Sequence, residues 1–390
     1  MLRRTRPVVL FVDAWWWGCF LELAGLLRGA GVRTVCVVPQ SRPSRFLSGW
    51  LCYGTTLSLD RARSLRRLER LVRSGRVLDV QLNELCVRSI APGSPGRAVL
   101  DTAFPLPAGS RWQLADKLTV SSRLAAAGVF VPPFARLEGD YDDAVAALGW
   151  PLLVKRRISC GGAGIRIARD RESLAAAIDS LSEGAGVGEP QPPVFAERLL
   201  EGDVLQYNAV VGPDGVEQEL CARGEKSASN PFGPSLRCVP VDDPSVRAAG
   251  RKAVGVLGCT GLVQLEFIRA PGGTPYLTDV NPRSFGNISA LAEAGVDLMA
   301  GYLHWLGATG RPPVRPARMD SRLDVFLPMV YEQLASAGLL RTGRSWLREL
   351  RRRRTVYGPR YAFATALILA KGTLKGAWDG PPPPARPSRA

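Results

Sequence analysis

The segment that most narrows the folds open to this chain is Gly261–Arg283, GLVQLEFIRAPGGTPYLTDVNPR. Two strand-forming runs flank Pro271-Gly272-Gly273-Thr274, a hairpin signal. A turn centred on Gly272-Gly273 sets Glu266 directly opposite Asp279, with Cβ atoms about 5 Å apart. Asn281, two residues further on, shares that face because side chains on a strand alternate. Like charges placed opposite each other destabilise a strand pair, so the arrangement makes sense around a divalent cation. Three hard oxygen donors without His or Cys favour Mg²⁺ or Mn²⁺ over zinc. Arg283 adds a phosphate-seeking cation just past the second strand.

Two further segments carry phosphate-binding chemistry. In Pro151–Ile165 an apolar strand delivers Lys155, and the glycine-rich loop Ser159-Cys160-Gly161-Gly162-Ala163-Gly164 follows. Lysine supplies a compact charge, and the glycines let backbone N–H groups approach phosphate oxygens. The lysine precedes the glycines and no Gly-Lys-Ser/Thr follows, so this is not a Walker A loop. In Val194–Asp203 an apolar strand ends at Glu197, and Arg198-Leu199-Leu200 leads to Glu201-Gly202-Asp203. Such a connector can offer backbone donors and acceptors to an adenine edge, with Asp203 placed for ribose hydroxyls.

The opening of the chain fixes the fold class as α/β. Residues 7–13 are a continuous apolar run, as expected for a buried parallel strand. A helical stretch through Leu27 and a second apolar run at Thr34–Val38 complete a right-handed β-α-β unit. The first strand-to-helix turn holds Ala14-Trp15-Trp16-Trp17-Gly18, where a dinucleotide fold carries glycines. Three indoles block close phosphate approach, so this unit is not expected to hold a dinucleotide; the indoles serve either packing or a substrate wall. Residues 91–110 read as a linker, Asp116–Ala127 as a short helix, and Gly212-Pro213-Asp214-Gly215 as a hairpin turn.

Composition excludes several classes. The 390 residues are 46% hydrophobic and 22% charged, ordinary globular usage. Eight cysteines without a C-x-x-C pair and one histidine, His304, rule out the usual zinc-finger and His-rich metal sites. The net charge of +16 is concentrated: residues 311–390 hold sixteen Lys and Arg against five acids. Residues 61–76 hold seven arginines against Glu69. No aromatic residue lies within 61–76, and no nucleic-acid partner is expected. Arg344, Arg348 and Arg351–Arg354 precede the apolar residues 361–370, which suits either a helical appendix on the core or a weak anchor for an anionic membrane or partner. Asp13 and Glu22 interrupt the apolar N-terminal run, 361–370 is too short to span a bilayer, and a soluble, cytoplasmic protein is expected.

Taken in order, these segments resemble the ATP-grasp superfamily, in its carboxylate–amine ligase and carbamoyl-phosphate-synthetase-like branch. Trp112–Lys117 followed by Ala126–Pro132 is similar to the family's "DK…aGvpvP" signature. The resemblance implies an α/β multidomain chain. Residues 1–110 would be a Rossmann-like pre-ATP-grasp domain. Residues 111–310 would be an ATP-grasp domain of two α+β lobes, 134–200 and 201–310. A basic helical appendix (311–379) and a Pro-rich tail (380–390) would follow. It also implies ATP and two Mg²⁺ or Mn²⁺ ions, small carboxylate and amine substrates, and an acylphosphate route, with a nucleotide-binding regulator as the alternative. By that match Lys117 and Lys155 are the ATP lysines, and Ser159, Gly161, Gly162 and Gly164 lie in the loop over the phosphates. Glu197 and Leu199 form the adenine hinge, and Asp203 is the ribose acid. Glu266, Asp279 and Asn281 are the metal ligands, and Arg283, with Lys155, acts on the transferred group. Asp279 stands where the family usually has Glu. Arg223 and Arg237 are further candidates for substrate or phosphate contacts.

Overall fold

The computed structural model describes residues 6–13, 18–103, 110–138, 141–183, 190–228, 230–312 and 316–374. The expectations for Trp15–Trp17 and for the tail 380–390 lie outside those residues.

Strands β1 (Val8–Val12), β2 (Arg33–Val38), β3 (Thr56–Ser58) and β4 (Val77–Leu82) form a parallel sheet in the order β3-β2-β1-β4. Alternation divides its side chains between two cores. Val9, Phe11, Cys36 and Val38 pack beneath α1 (Gly18–Gly29) and α2 (Pro43–Tyr53). Val8, Leu10, Val12, Val35 and Val37 face α3 (Ala62–Arg73) and α4 (Pro95–Ala103). The expected linker at 91–110 is thus largely helix: Pro95 opens α4 and Leu100 is fully buried in the second core.

After α5 (Ser110–Leu114), α6 (Lys117–Ala126) starts where Asp116 caps it by accepting from the Leu118 N–H at 3.2 Å. A small antiparallel sheet follows, ordered β5-β8-β6-β7: β5 (Phe134–Arg136), β6 (Leu152–Arg156), β7 (Ile165–Ala168) and β8 (Val194–Arg198). Helices α7 (Asp142–Leu148) and α8 (Arg171–Ser182) cover it, and Asp170 with Ser173 forms a capping box on α8.

The third sheet runs β13-β12-β9-β10-β11-β14: β9 (Asp203–Gly212), β10 (Gly215–Glu225), β11 (Arg237–Pro240), β12 (Gly261–Arg269), β13 (Pro275–Asn281) and β14 (Leu323–Asp324). Helices α6 and α9 (Pro244–Leu257) cover one face. On the other face α10 (Ile288–Glu293) and α11 (Leu298–Trp305) belong to the same core as α1 and α2, so the first and third sheets share one hydrophobic interior.

The C-terminal region packs as helices on the core. β14 extends the third sheet, and α12 (Phe326–Tyr357) and α13 (Pro359–Leu374) place Leu350, Tyr357, Tyr361 and Ala364 in the shared core. Arg353, within the basic run, is buried and donates to Glu22 on α1 at 2.6 Å. Among the described side chains of 361–366, Tyr361, Ala364 and Thr365 point inward and Phe363 is exposed. Among the described residues no helix is long and apolar enough to cross a membrane.

Candidate active site

The hairpin β12–β13 pairs Glu266 with Asp279 and Gln264 with Asn281, as expected, but its turn differs. Arg269 pairs with Pro275, so the turn is centred on Gly272, and the Gly273 N–H donates to the Ala270 carbonyl at 2.8 Å. A bulge then adds one residue, Thr278, to β13 and restores the Glu266–Asp279 pairing. The bulge places Thr278 and Asp279 together on the cavity side, while Leu277 and Val280 stay in the core. It also aims the Thr278 carbonyl at Lys155, which donates to it at 3.0 Å.

Two opposed carboxylates on neighbouring strands need cationic partners, and two lysines supply them. Lys117 donates to Asp279. Lys226 reaches Glu266 Oε2 at 3.0 Å and Oε1 at 3.3 Å while donating to the Gly233 carbonyl at 2.7 Å. Burial works against the charge on Asp279, but Lys117, with Lys155 and Arg283 behind it, outweighs burial and holds the carboxyl below its ordinary range. Burial likewise opposes the charge on Lys117, and Asp279 more than offsets it, leaving that ammonium above its ordinary value.

Lys155 is carried on β6 with 4% exposure and lies 2.8 Å from Glu197 Oε2 on β8. Burial raises the Glu197 carboxyl against the opposing pull of Lys155. Lys155 therefore ties the small sheet to the acidic hairpin. The glycine loop closes on itself through Arg156 N–H to Gly164 O at 2.8 Å and Ser159 Oγ to Arg156 O at 3.1 Å. Gly161 and Gly162 take φ of +63° and +79°, which L side chains rarely adopt. At Gly162 a Cβ would lie 2.6 Å from the Phe232 carbonyl, so the glycine lets this loop rest against 231–234. The Cys160 thiol within the loop is pushed up to about 12 by burial.

Arg283 is buried and held from three sides. Its Nε donates to Glu84 Oε1 at 2.6 Å, and its terminal nitrogens donate to Asn281 Oδ1 at 2.9 Å and Ser284 O at 2.8 Å. Glu84 opens a 3₁₀ turn, Glu84–Ser89, directly after β4. The guanidinium is thereby locked between the first and third sheets. Asp116, besides capping α6, receives both arms of Arg157 at 2.9 and 2.6 Å.

One cavity of about 850 Å³ collects these groups. It is lined by Lys117, Lys155, Ser159, Gly161, Gly162, Gly164, Glu197, Leu199, Glu266, Asp279, Asn281 and Arg283, all expected from sequence. Asp203 is not among its lining residues: it is exposed at the start of β9, so the ribose contact expected of it is not placed there. Arg223 is exposed, and Arg237 pairs with Asp324 at 2.7 Å; neither lines the cavity. Lys226, Glu84 and Glu22 were missed. Glu84 had a signal, since it follows the carboxyl end of a parallel strand, where open α/β sheets bind ligands. Lys226 had none.

The donor set fits Mg²⁺: Glu266, Asp279 and Asn281 present hard oxygens on one face, and none of the three offers a sulfur or imidazole donor. Among the described residues no cluster of three or more His, Cys, Asp or Glu exists, because the third oxygen here is an amide.

Residues 116–211 match the family described as carbamoyl-phosphate synthase L chain, ATP binding domain. The large chain of carbamoyl phosphate synthase from Kineococcus radiotolerans is 28% identical over 172 residues, 40% of this chain and 15% of that protein. The chain spans about half or less of the length of the curated relatives it first matches. N5-carboxyaminoimidazole synthetase from Staphylococcus aureus, solved with ADP, superposes with a TM-score of 0.61 at 14% identity, covering 81% of each chain. L-amino acid ligase from Bacillus licheniformis superposes with a TM-score of 0.57 at 18% identity, covering 80% of this chain and 78% of that one. With the order of the lysines, glycine loop and acidic hairpin, these likenesses show the ATP-grasp fold and, over residues 116–211, a similarity to a carbamoyl-phosphate synthase ATP-binding domain.

Proposed function

We propose that this protein is an ATP-dependent ligase that activates a small carboxylate as an acylphosphate and joins it to an amine. The observation that carries the reading is the convergence of Glu266, Asp279 and Asn281, two lysines, a glycine loop and Arg283 on one cavity. Glu197 and Leu199, at the end of β8, border the part of the cavity suited to the adenine ring. The three oxygen donors would hold Mg²⁺, which neutralises phosphate charge and polarises the group transferred.

This chain's own residues do the rest by position and charge. Lys117 and Lys226 now answer Asp279 and Glu266, and both reach the space beside the hairpin where triphosphate oxygens would lie. Lys155, fixed by Glu197 and by Thr278, holds a third positive charge without needing to reorganise. The glycine loop, resting on 231–234, excludes water from the phosphoryl group. Arg283 cannot swing, since Glu84, Asn281 and Ser284 hold it, so it presents a fixed charge to the carboxylate and to the oxyanion that forms when the amine attacks. The mechanism requires no protein nucleophile. ADP release measured against a panel of carboxylates and amines tests the reading. Release that needs both partners, and that fails with Asp279→Asn, supports it; tight nucleotide binding without release for any pair overturns it.

A further inference from the structure

The cavity reaches past Arg283 to the first turns of α1, and its chemistry there differs from that of the nucleotide end. Cys19 and Glu22 of α1 line it together with Phe285, Asn287 and the first turn of α12. The gap between α1 and α12 is itself closed, because a Cβ on Gly18 would overlap Leu327 Cδ1. Anything that reaches Glu22 therefore comes from the Arg283 side, past Cys19. The Cys19 thiol links the two: it donates to the Ser284 carbonyl at 3.6 Å and lies within the fields of both Arg283 and Glu22.

Glu22 is 4% exposed, and its two oxygens are treated differently. Oε1 accepts from Arg353 at 2.6 Å and from Tyr361 at 3.2 Å. Oε2 is buried and receives no donor from the chain. Leaving a buried acceptor unanswered costs more than a made hydrogen bond returns, so such an atom on a cavity wall marks a place for a donor. Glu84 repeats the pattern, with Oε1 on Arg283 at 2.6 Å and Oε2 unanswered, although it is not among the lining residues. Charge points the same way. Arg353 is shared, since its Nε donates to Glu349 at 2.7 Å. Glu349 and Glu293 in turn share Arg352. Among the described residues that run sets three carboxylates against two guanidiniums, and its buried end is Glu22. Burial raises the Glu22 carboxyl in spite of Arg353, a penalty that a second cation would relieve.

We infer that this end of the cavity seats the amine substrate, a primary amine that donates its N–H groups to Glu22 Oε2. The class follows from the acceptor: an amine or its ammonium satisfies a buried carboxylate oxygen, whereas an ether or a second carboxylate cannot. The inference rests on the ligase reading for its chemistry, though not for the binding itself. It brings the amine to the Arg283 end, where that fixed guanidinium meets the acyl group. Arg353 and Tyr361 are then positioning residues, since they hold Oε1 and leave Oε2 for the amine.

The experiment uses the full chain with a non-hydrolysable ATP analogue and Mg²⁺. Calorimetry compares n-butylamine, benzylamine and alaninamide with ethers of similar size, which carry no N–H. The amines should bind at least about tenfold tighter than the ethers. In Glu22→Gln the amide oxygen stays with Arg353, which can only donate, and the amide nitrogen takes the place of Oε2. The acceptor becomes a donor, and the preference for amines should vanish. Arg353 keeps Glu349 in that variant. Glu22→Leu combined with Arg353→Met removes the ion pair as a whole and gives the same test should Glu22→Gln fold poorly. In ADP release, both variants should raise the KM for the amine about tenfold and leave the KM for ATP unchanged. Amines and ethers that bind wild type alike, or an amine preference or amine KM unmoved by both variants, overturn the inference. Amine binding that follows Glu22 without ADP release for any carboxylate overturns the ligase reading and leaves the site assignment standing.

Discussion

The acidic hairpin and the wall built by α1 and α12 border the same cavity, and they are built in opposite ways. The hairpin gathers Glu266, Asp279 and Asn281 within sixteen residues of chain, on two strands joined by a tight turn. The wall gathers Gly18, Glu22, Leu327 and Arg353 from points more than three hundred residues apart. Local construction fixes the spacing among groups that, on the ligase reading, handle the phosphates of the nucleotide. Non-local construction lets the other end change shape without disturbing that spacing. The two borders of one cavity thus belong to different kinds of structure.

Variants at the two sites should fail differently. The largest effect is expected at the hairpin: Asp279→Asn should lower ADP release by about 10³-fold or more while leaving the thermal midpoint little changed. A variant that unfolds instead would show that the hairpin carries stability as well and erase the contrast. At the wall, Arg353→Met leaves the Glu22 carboxylate buried without its cation and should cost about 3–5 kcal/mol in denaturant unfolding. Adding Glu22→Gln should recover most of that loss, because no buried charge is then left alone.

Smaller effects sharpen the comparison. Gly162→Ala forces an L side chain to φ +79° against the Phe232 carbonyl. Strain of about 1–3 kcal/mol is expected there, seen as roughly tenfold weaker binding of an ATP analogue with little change in carboxylate preference. A changed preference would mean that the loop also shapes the substrate end. The Lys117–Asp279 pair should give the smallest signal, in the pH dependence of stability. Asp279 titrates below its unfolded value, so its contribution is present above pH about 3.9 and is lost as pH falls through the folded value. Lys117 titrates above its unfolded value, so its contribution is present below pH about 10.4 and is lost as pH rises through the folded value. The difference between wild type and Lys117→Met should therefore be level between those limits and shrink outside them.

The same division explains what could be read from the sequence. The pairing of Glu266 with Asp279, the helix begun at Asp116 and the strands around Gly212–Gly215 depend on short-range rules of turn, cap and alternation. So does the arrival of Lys155 just before the glycine loop. Even here the pairing came out for an incomplete reason, since a centred Gly-Gly turn cannot foresee the bulge at Thr278. Residues 91–110 misled because Pro and Gly mark both linkers and helix starts, and only burial of Leu100 distinguishes the two. Lys226 and Leu327 gave no local sign. Each gains its place from a partner far along the chain, Glu266 in one case and Gly18 in the other.

The bulge at Thr278 has a consequence for the lengths this segment can tolerate. Deleting Thr278 would close the bulge without sliding β13, because Leu277 already faces Phe267 and Asp279 already faces Glu266 on either side of it. Asp279 would still face the cavity and Val280 the core beneath α6 and α9, but Lys155 would lose its carbonyl partner. The count matters between Asp279 and Asn281, where side chains alternate with a period of two and losing Val280 would turn Asn281 to the core face. Substitutions in the turn can be absorbed, and so can closure of the bulge, whereas a single-residue gain or loss between Asp279 and Asn281 would split the acidic face at once.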